Sequence, residues 1–345
     1  MSKKGKKPIK DKPFKLPPHE YKSVITTLSQ KQGWGIKQCN VPKTWTITQG
    51  EGETVMVIDT GWSNHSDLGE NSVKGICTVD GRIDDKEGHG THCAGIIAAK
   101  NNTSGMVGVA PKAKVVAVKA LGDDGSGSFA AIAKALEYAI ETKPTVISMS
   151  LGAPSCTGRV EKAIKKLYEM NIPIICAAGN DGKRGVDYPA KYPETIAVAA
   201  YDKSGNIANF SAVGKEVDWA APGVNIYSTY LNDKYAILSG TSMACPFVAG
   251  IVALLISKHK KQEERTGKND CKTIEQIKEH LLKYTVDKGI IGKDNNFGYG
   301  MLDVEKLIVE GSSADNPAII VPDKPQVSWL TKLFGWFKSI FSKKS

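Results

Sequence analysis

The 345-residue sequence has little of what marks the extreme classes of protein. Its seven cysteines, at positions 39, 77, 93, 156, 176, 245 and 271, form no CxxC pair and are odd in number. That argues against a disulfide-stapled secreted scaffold or a zinc site of paired cysteines, and fits reduced thiols. No run of about 18 apolar residues is present to cross a membrane. The basic start MSKKGKKPIKDKPFKLPP has no apolar h-region, so no signal peptide is predicted and the expected location is cytoplasmic. There is no internal repeat. Acidic residues are scarce at both ends: residues 1–15 hold seven Lys against one Asp, and residues 329–345 hold four Lys and no acid. These tails account for the whole formal charge of +10 and leave residues 16–328 neutral. No nucleic-acid-binding face is therefore expected on the body.

What is present suits a globular enzyme: 41% hydrophobic residues, 24% charged, and 34 Gly available for tight turns. Apolar runs at 54–59, 113–121, 144–152, 172–180 and 195–200 read as buried strands. Helical patterns (AGIIAAK, FAAIAKALEYAIE, RVEKAIKKLYEM) alternate with them. Such alternation predicts an α/β fold: a three-layer, doubly wound, mostly parallel sheet with helices on both faces. Working residues lie past the carboxyl ends of such strands, where Asp59, Gly152 and Asn180 fall. The run 240–261 reads as a buried helix with Pro246 in its first turn. Four segments follow: a basic extension (1–30), a catalytic domain (31–310), a linker (311–328) and a basic amphipathic helix (329–345).

Three local patterns carry chemistry. Asp59 ends an apolar strand in VMVIDTG, His89 opens a helix in EGHGTHCAG, and Ser242 opens another in SGTSMACP. Each alone has a bland reading, the Asp as a turn residue and the Ser as a helix N-cap. Together they supply a nucleophile, a base and an orienting carboxylate. With SLGAP, AAGND, YPAKYP and DWAAPGV, over roughly Gln30 to Leu307, they resemble the subtilisin family of serine endopeptidases, whose order is Asp…His…Ser. An esterase of another α/β scaffold would carry a GxSxG elbow, and this chain has GTSMA.

The resemblance implies that Ser242 is the nucleophile, His89 the base, Asp59 its orienting partner and Asn180 an oxyanion donor; His92 would be a packed neighbour. It also implies a substrate peptide added as a strand between Gly125–Gly127 and the edge Ser150, Leu151 and Gly152. Phe129 would lid the fourth subsite, or be a plain core aromatic. Asp187 aligns with the base of the P1 pocket, where it would favour Lys or Arg; alternatively it turns to solvent or pairs with Lys183 or Arg184. The loop KNNTSGMVGVAP resembles a calcium loop, with Asp67, Asn102 and Gln30 giving side-chain oxygens and Lys100, Ser104 and Met106 carbonyls; a metal-free loop is the alternative. Cys93 resembles a buried thiol beneath the catalytic His.

The short leader resembles that of the intracellular branch, in which an N-terminal extension lies across the cleft and is later removed; here Leu16–Tyr21 would do so. In SWLTKLFGWFKSIFSKKS, apolar residues recur at 329/330, 333/334, 336/337 and 340/341 with basic residues between. That fits a helix in an anionic membrane interface, hence a peripheral place at the inner membrane surface, or a helix docked on protein. The expected partners are a peptide or protein substrate and that membrane surface.

Overall fold

The computed structural model describes residues 14–25, 29–79 and 81–310. The expected linker 311–328 and helix 329–345 lie outside the described residues.

Two short strands come first, β1 (Phe14–Lys15) and β2 (Glu20–Ile25), then two short helices, α1 (Trp34–Gln38) and α2 (Val41–Thr44). The body opens with β3 (Thr54–Asp59), β4 (Ser72–Cys77), α3 (His89–Ala98), β5 (Lys114–Lys119), β6 (Ser126–Gly127) and α4 (Phe129–Thr142). It continues through β7 (Val146–Met149), α5 (Gly158–Glu169), β8 (Ile174–Ala177), β9 (Ile196–Tyr201) and β10 (Val217–Pro222). The hairpin β11 (Ile226–Tyr230) and β12 (Lys234–Ser239) leads into α6 (Thr241–Thr266) and α7 (Ile274–Lys283). Strands β13 (Thr285–Val286) and β14 (Met301–Leu302) and helix α8 (Val304–Val309) close the described chain.

The nine-stranded sheet runs β13-β14-β10-β9-β8-β7-β3-β5-β4, parallel throughout except for β13. Its strands are apolar on both faces because side chains alternate along a strand. Val55 and Val57 of β3 enter the core shared with α3 and α6, while Met56 and Ile58 enter the core shared with α4 and α5. In β9, Ile196, Val198 and Ala200 divide from Ala197, Ala199 and Tyr201 in the same way. The result is the expected three-layer α/β arrangement, and it sets Asp59 at the carboxyl end of β3.

One detail departs from the sequence reading. Helix α6 begins at Thr241, so Pro246 stands inside it and not in its first turn. A proline there offers no N–H to the carbonyl four residues back. That carbonyl belongs to Ser242, and two other groups take it over: Ser150 Oγ donates to it at 2.9 Å and Cys93 Sγ lies at 3.5 Å. By length and composition α6 would suffice to cross a membrane, yet its apolar stretch is buried within the fold.

Candidate active site

The site forms where β3, α3, α6 and the segment after β8 meet. Asp59 and His89 are both buried, and His89 Nδ1 lies 2.8 Å from Asp59 Oδ1. The same carboxylate oxygen accepts the Thr60 N–H at 2.8 Å, which fixes its rotamer. Burial works against a charged imidazole, but the Asp59 carboxylate outweighs it, and His89 is held well above its ordinary value. An ionised Asp59 only accepts, so Nδ1 carries the proton and Nε2 keeps a lone pair while the ring is neutral. Among the described residues Nε2 has no hydrogen-bond partner.

Asp85 and Glu87, which the sequence reading passed over, build the turn that presents His89. Asp85 Oδ1 accepts the N–H groups of Glu87 and Gly88, and its Oδ2 accepts the N–H and hydroxyl of Thr91. Glu87 Oε2 accepts the His89 N–H at 2.7 Å. These carboxylates satisfy donors at the start of α3 that the helix itself cannot. Gly88 has φ +100, and a Cβ there would stand 2.4 Å from the Tyr230 ring. His92 is turned away from the site, its Nε2 near the carbonyls of Ile226 and Ala236, and burial pushes it down to about 3. Cys93 lies 3.8 Å from His89 Nδ1, and burial pushes its thiol up, so it remains protonated.

Ser242 occupies the first turn of α6, and its hydroxyl donates to the Ser150 carbonyl at 3.3 Å, not to His89. Asn180 is held from behind: its Oδ1 accepts the Thr241 N–H at 2.9 Å and the Thr241 hydroxyl at 2.7 Å. The opposite end of the amide, Nδ2, is thereby aimed outward. Thr241, like Asp85 and Glu87, is absent from the sequence reading, and its place between Gly240 and Ser242 is the available signal.

The cleft is filled by the chain's own extension. Lys15 N–H donates to the Gly152 carbonyl at 3.1 Å and the Gly152 N–H returns a bond to Lys15 at 3.0 Å. On the other side β1 pairs antiparallel with β6, Phe14 opposite Gly127, and Leu16 N–H donates to the Gly125 carbonyl at 3.0 Å. Residues 14–16 are thus a middle strand between the two predicted substrate edges. Gly127 cannot be replaced without shifting backbone, since a Cβ would meet the Ala120 carbonyl at 2.2 Å. Leu151 is fully buried beneath its edge. Phe14 is 0% exposed and packs edge-to-face on Phe129, ring centroids 5.2 Å apart. Further along, Asn180 Nδ2 donates to the Pro18 carbonyl at 2.7 Å. The His19 ring lies 5.2 Å from the His89 ring and 3.9 Å from Glu87 Oε1, and β2 then pairs with β12.

Asp187 is half-buried against Gly152 and Gly179, whose Cβ positions would stand 3.1 and 3.0 Å from its Oδ2. Burial pushes its carboxyl up, with Asp181 adding to the effect. Arg184 pairs with Asp181 at 3.4 Å.

At the expected calcium loop, Gln30 Nε2 donates toward Lys100 O, Asn102 Oδ1 and Met106 O at 3.0, 3.2 and 3.3 Å. Three oxygens converging on one point is a donor set a hard cation uses. Asp67 is buried and reaches the loop, accepting Asn102 Nδ2 at 2.9 Å and the Met106 N–H at 2.6 Å. Ser104 enters through its N–H, which donates to Asn102 Oδ1 at 2.9 Å.

A parallel α/β sheet that brings a helix-start serine, a buried Asp–His pair and an outward amide donor to one peptide-lined cleft defines a peptide hydrolase. The subtilase model of the S8 peptidases matches residues 50–300, and the chain belongs to that family. It is 44% identical over 239 residues to the thermostable alkaline protease of Halalkalibacterium halodurans, covering 69% of this chain and 66% of that protein. It is 40% identical over 278 residues to subtilisin Savinase of Lederbergia lenta, 80% of this chain and 98% of that one. Thermitase of Thermoactinomyces vulgaris is 43% identical over 229 residues, 65% of this chain and 82% of its own. The chain is a subtilisin-type serine endopeptidase, and its substrates are peptides or proteins. Subtilases commonly bind structural calcium.

Proposed function

We propose that peptide hydrolysis runs through Ser242 as nucleophile, His89 as general base and then acid, Asp59 as its orienting carboxylate, and Asn180 as oxyanion donor. The observation that carries this reading is the 2.8 Å contact between His89 Nδ1 and Asp59 Oδ1, which leaves Nε2 without a partner. Once the Ser242 hydroxyl turns from Ser150 to Nε2, Oγ attacks the scissile carbonyl carbon and its proton passes to Nε2. Asn180 Nδ2 and the Ser242 N–H receive the oxyanion. The proton then goes to the leaving amine, and water repeats the sequence on the acyl-enzyme. Ser242→Ala should abolish hydrolysis with the fold unchanged, and a fluorophosphonate should label Ser242 alone. Labelling elsewhere, or residual turnover in the variant, would overturn the assignment.

Residues 14–21 act in this reading as an internal inhibitor. They take the place of a substrate strand, and Pro17 and Pro18 supply no N–H to the Ser150 carbonyl. Removal of residues 1–22 should bring activity on without delay, and unchanged onset would refute the role. Asp187, with Arg184 engaged by Asp181, is the residue we assign to a Lys or Arg preference at P1. Equal kcat/KM for Arg and Phe at P1 would remove that assignment. Calcium would be held by Asp67, Asn102 and Gln30 side chains and the Lys100, Ser104 and Met106 carbonyls, the Gln30 amide inverting to present oxygen. Residues 329–345 are proposed on composition to rest on an anionic membrane surface in the cytoplasm, in keeping with seven free cysteines.

A further inference from the structure

A second cluster of metal-type donors lies far along α6 from Ser242. His259 of α6, Asp270 of the α6–α7 loop and His280 of α7 each offer one donor atom, all within 4.8 Å of one another. His259 Nδ1 stands 2.7 Å from Asp270 Oδ1, and His280 Nε2 stands 3.5 Å from the same oxygen and 3.2 Å from the Asp270 backbone carbonyl, a contact an ion would replace. The two rings are 4.6 Å apart and tilted by 45°. The His259 side chain is only 2% exposed; its Nδ1 meets the Asp270 carboxylate, while its Nε2 has no hydrogen-bond partner among the described residues. A buried imidazole nitrogen left without a partner needs an explanation.

We propose that His259, Asp270 and His280 bind a divalent transition-metal ion of the zinc type, clamping the end of α6 to α7. Two imidazoles and a carboxylate suit a borderline cation rather than calcium. Ligands of a tetrahedral zinc bonded at ~2.0–2.1 Å stand about 3.4 Å apart. The Asp270–His280 separation already meets that spacing, and His259 and Asp270 need only part by a fraction of an ångström. Asp270 is exposed, so an ion has a way in and water can complete its coordination. The loop is pinned on both sides: Asn269 Nδ2 donates to Glu263, its Oδ1 accepts the Cys271 N–H, and a capping box at Thr273 starts α7. The neighbouring Lys258 ammonium is engaged elsewhere, donating to the Leu307 carbonyl at 3.0 Å.

The test titrates Co²⁺, then Zn²⁺, into the full-length Ser242→Ala chain with calcium saturating. Visible d–d absorption of non-octahedral cobalt should saturate at one equivalent and disappear as Zn²⁺ displaces it. His280→Gln and Asp270→Asn, both at solvent-accessible positions, should weaken binding by about tenfold or more. Their melting temperatures in a chelator should match the parent, while zinc should raise only the parent's. Absence of the absorption would overturn the proposal, as would an affinity in either variant equal to the parent's. A near-ultraviolet thiolate charge-transfer band would also overturn it, since the ion would then be held by a cysteine and not by two imidazoles and a carboxylate alone.

Discussion

Phe14→Ala offers a direct measure of how firmly the extension closes the cleft. The ring belongs to the extension and packs into the core on the α4 side of the sheet, so a chain lacking residues 1–22, which also lacks it, is the control for effects on the body. Phe14 is 0% exposed and meets Phe129 edge-to-face at 5.2 Å. Burying such a side chain contributes roughly 1.5–3 kcal/mol, and an aromatic pair adds ~0.5–1.5 kcal/mol. The main-chain bonds of Lys15 and Leu16 survive the substitution. Docking should therefore weaken by about 2–4 kcal/mol, or roughly 30- to 1000-fold in the ratio of open to closed cleft. A fluorophosphonate reaches Ser242 only in the open form, so its labelling rate on the uncleaved chain reads that ratio. Mass spectrometry confirms that the extension is intact. The rate should rise by that factor until it meets the rate of a chain lacking residues 1–22, which is its ceiling. A Phe14→Ala rate equal to wild type, with the truncated chain much faster, would refute the anchoring role of Phe14. Equal rates in all three chains would refute closure itself.

Acid should loosen the extension through His19. Burial, with His89 adding to it, holds the docked His19 below 6.5, so the released segment binds the proton more strongly. Docking is then at full strength above pH 6.5 and weakens as pH falls from there. Glu87, raised by burial, works in the opposite direction as it takes up a proton. Hydrogen exchange at the Lys15 and Leu16 amides of the Ser242→Ala chain should show protection falling as pH drops below about 6.5, and His19→Gln should remove that loss. Thr241→Val deletes the hydroxyl that holds Asn180 Oδ1 at 2.7 Å but keeps the N–H. A net hydrogen bond of ~0.5–1.5 kcal/mol predicts a fall in kcat of up to about tenfold with KM little changed; a change in KM alone would contradict a positioning role. Chelating calcium should lower the melting temperature by about 4–5 °C if the ion stood at ~100 times its Kd, and Asp67→Asn should abolish the effect.

The sheet was legible because its strands carry apolar residues on both faces, and period and length identify such runs without tertiary information. The site residues were legible as types at strand ends and helix starts, in an order tied to a family. What the sequence hid depends on groups that meet only in space. Thr241 looks like any residue before a serine until its hydroxyl is seen against Asn180. Asp85 reads as a loop acid, yet it caps the helix that opens on His89. Pro246 misled in the other direction: a proline near a helix start normally signals the first turn, and here it is tolerated deeper because Ser150 and Cys93 serve the carbonyl it abandons. The His259 cluster was invisible because its three members are spread over 22 residues with no spacing that marks a metal motif.

The closed cleft also accounts for the orientation of the Ser242 hydroxyl. The antiparallel register that sets Lys15 against Gly152 brings Pro17, which has no hydrogen to give, opposite Ser150. The Ser150 carbonyl instead accepts the Ser242 hydroxyl at 3.3 Å, and His89 Nε2 is left without a partner among the described residues. A substrate with an ordinary residue at that place would bring its own N–H to Ser150. The serine would then be released toward the imidazole, at the moment a scissile carbonyl arrives beside Asn180. Under this reading the prolines do more than resist cleavage. They withhold the hydrogen bond that would free the nucleophile, so the same carbonyl edge that binds substrate holds the serine idle without one.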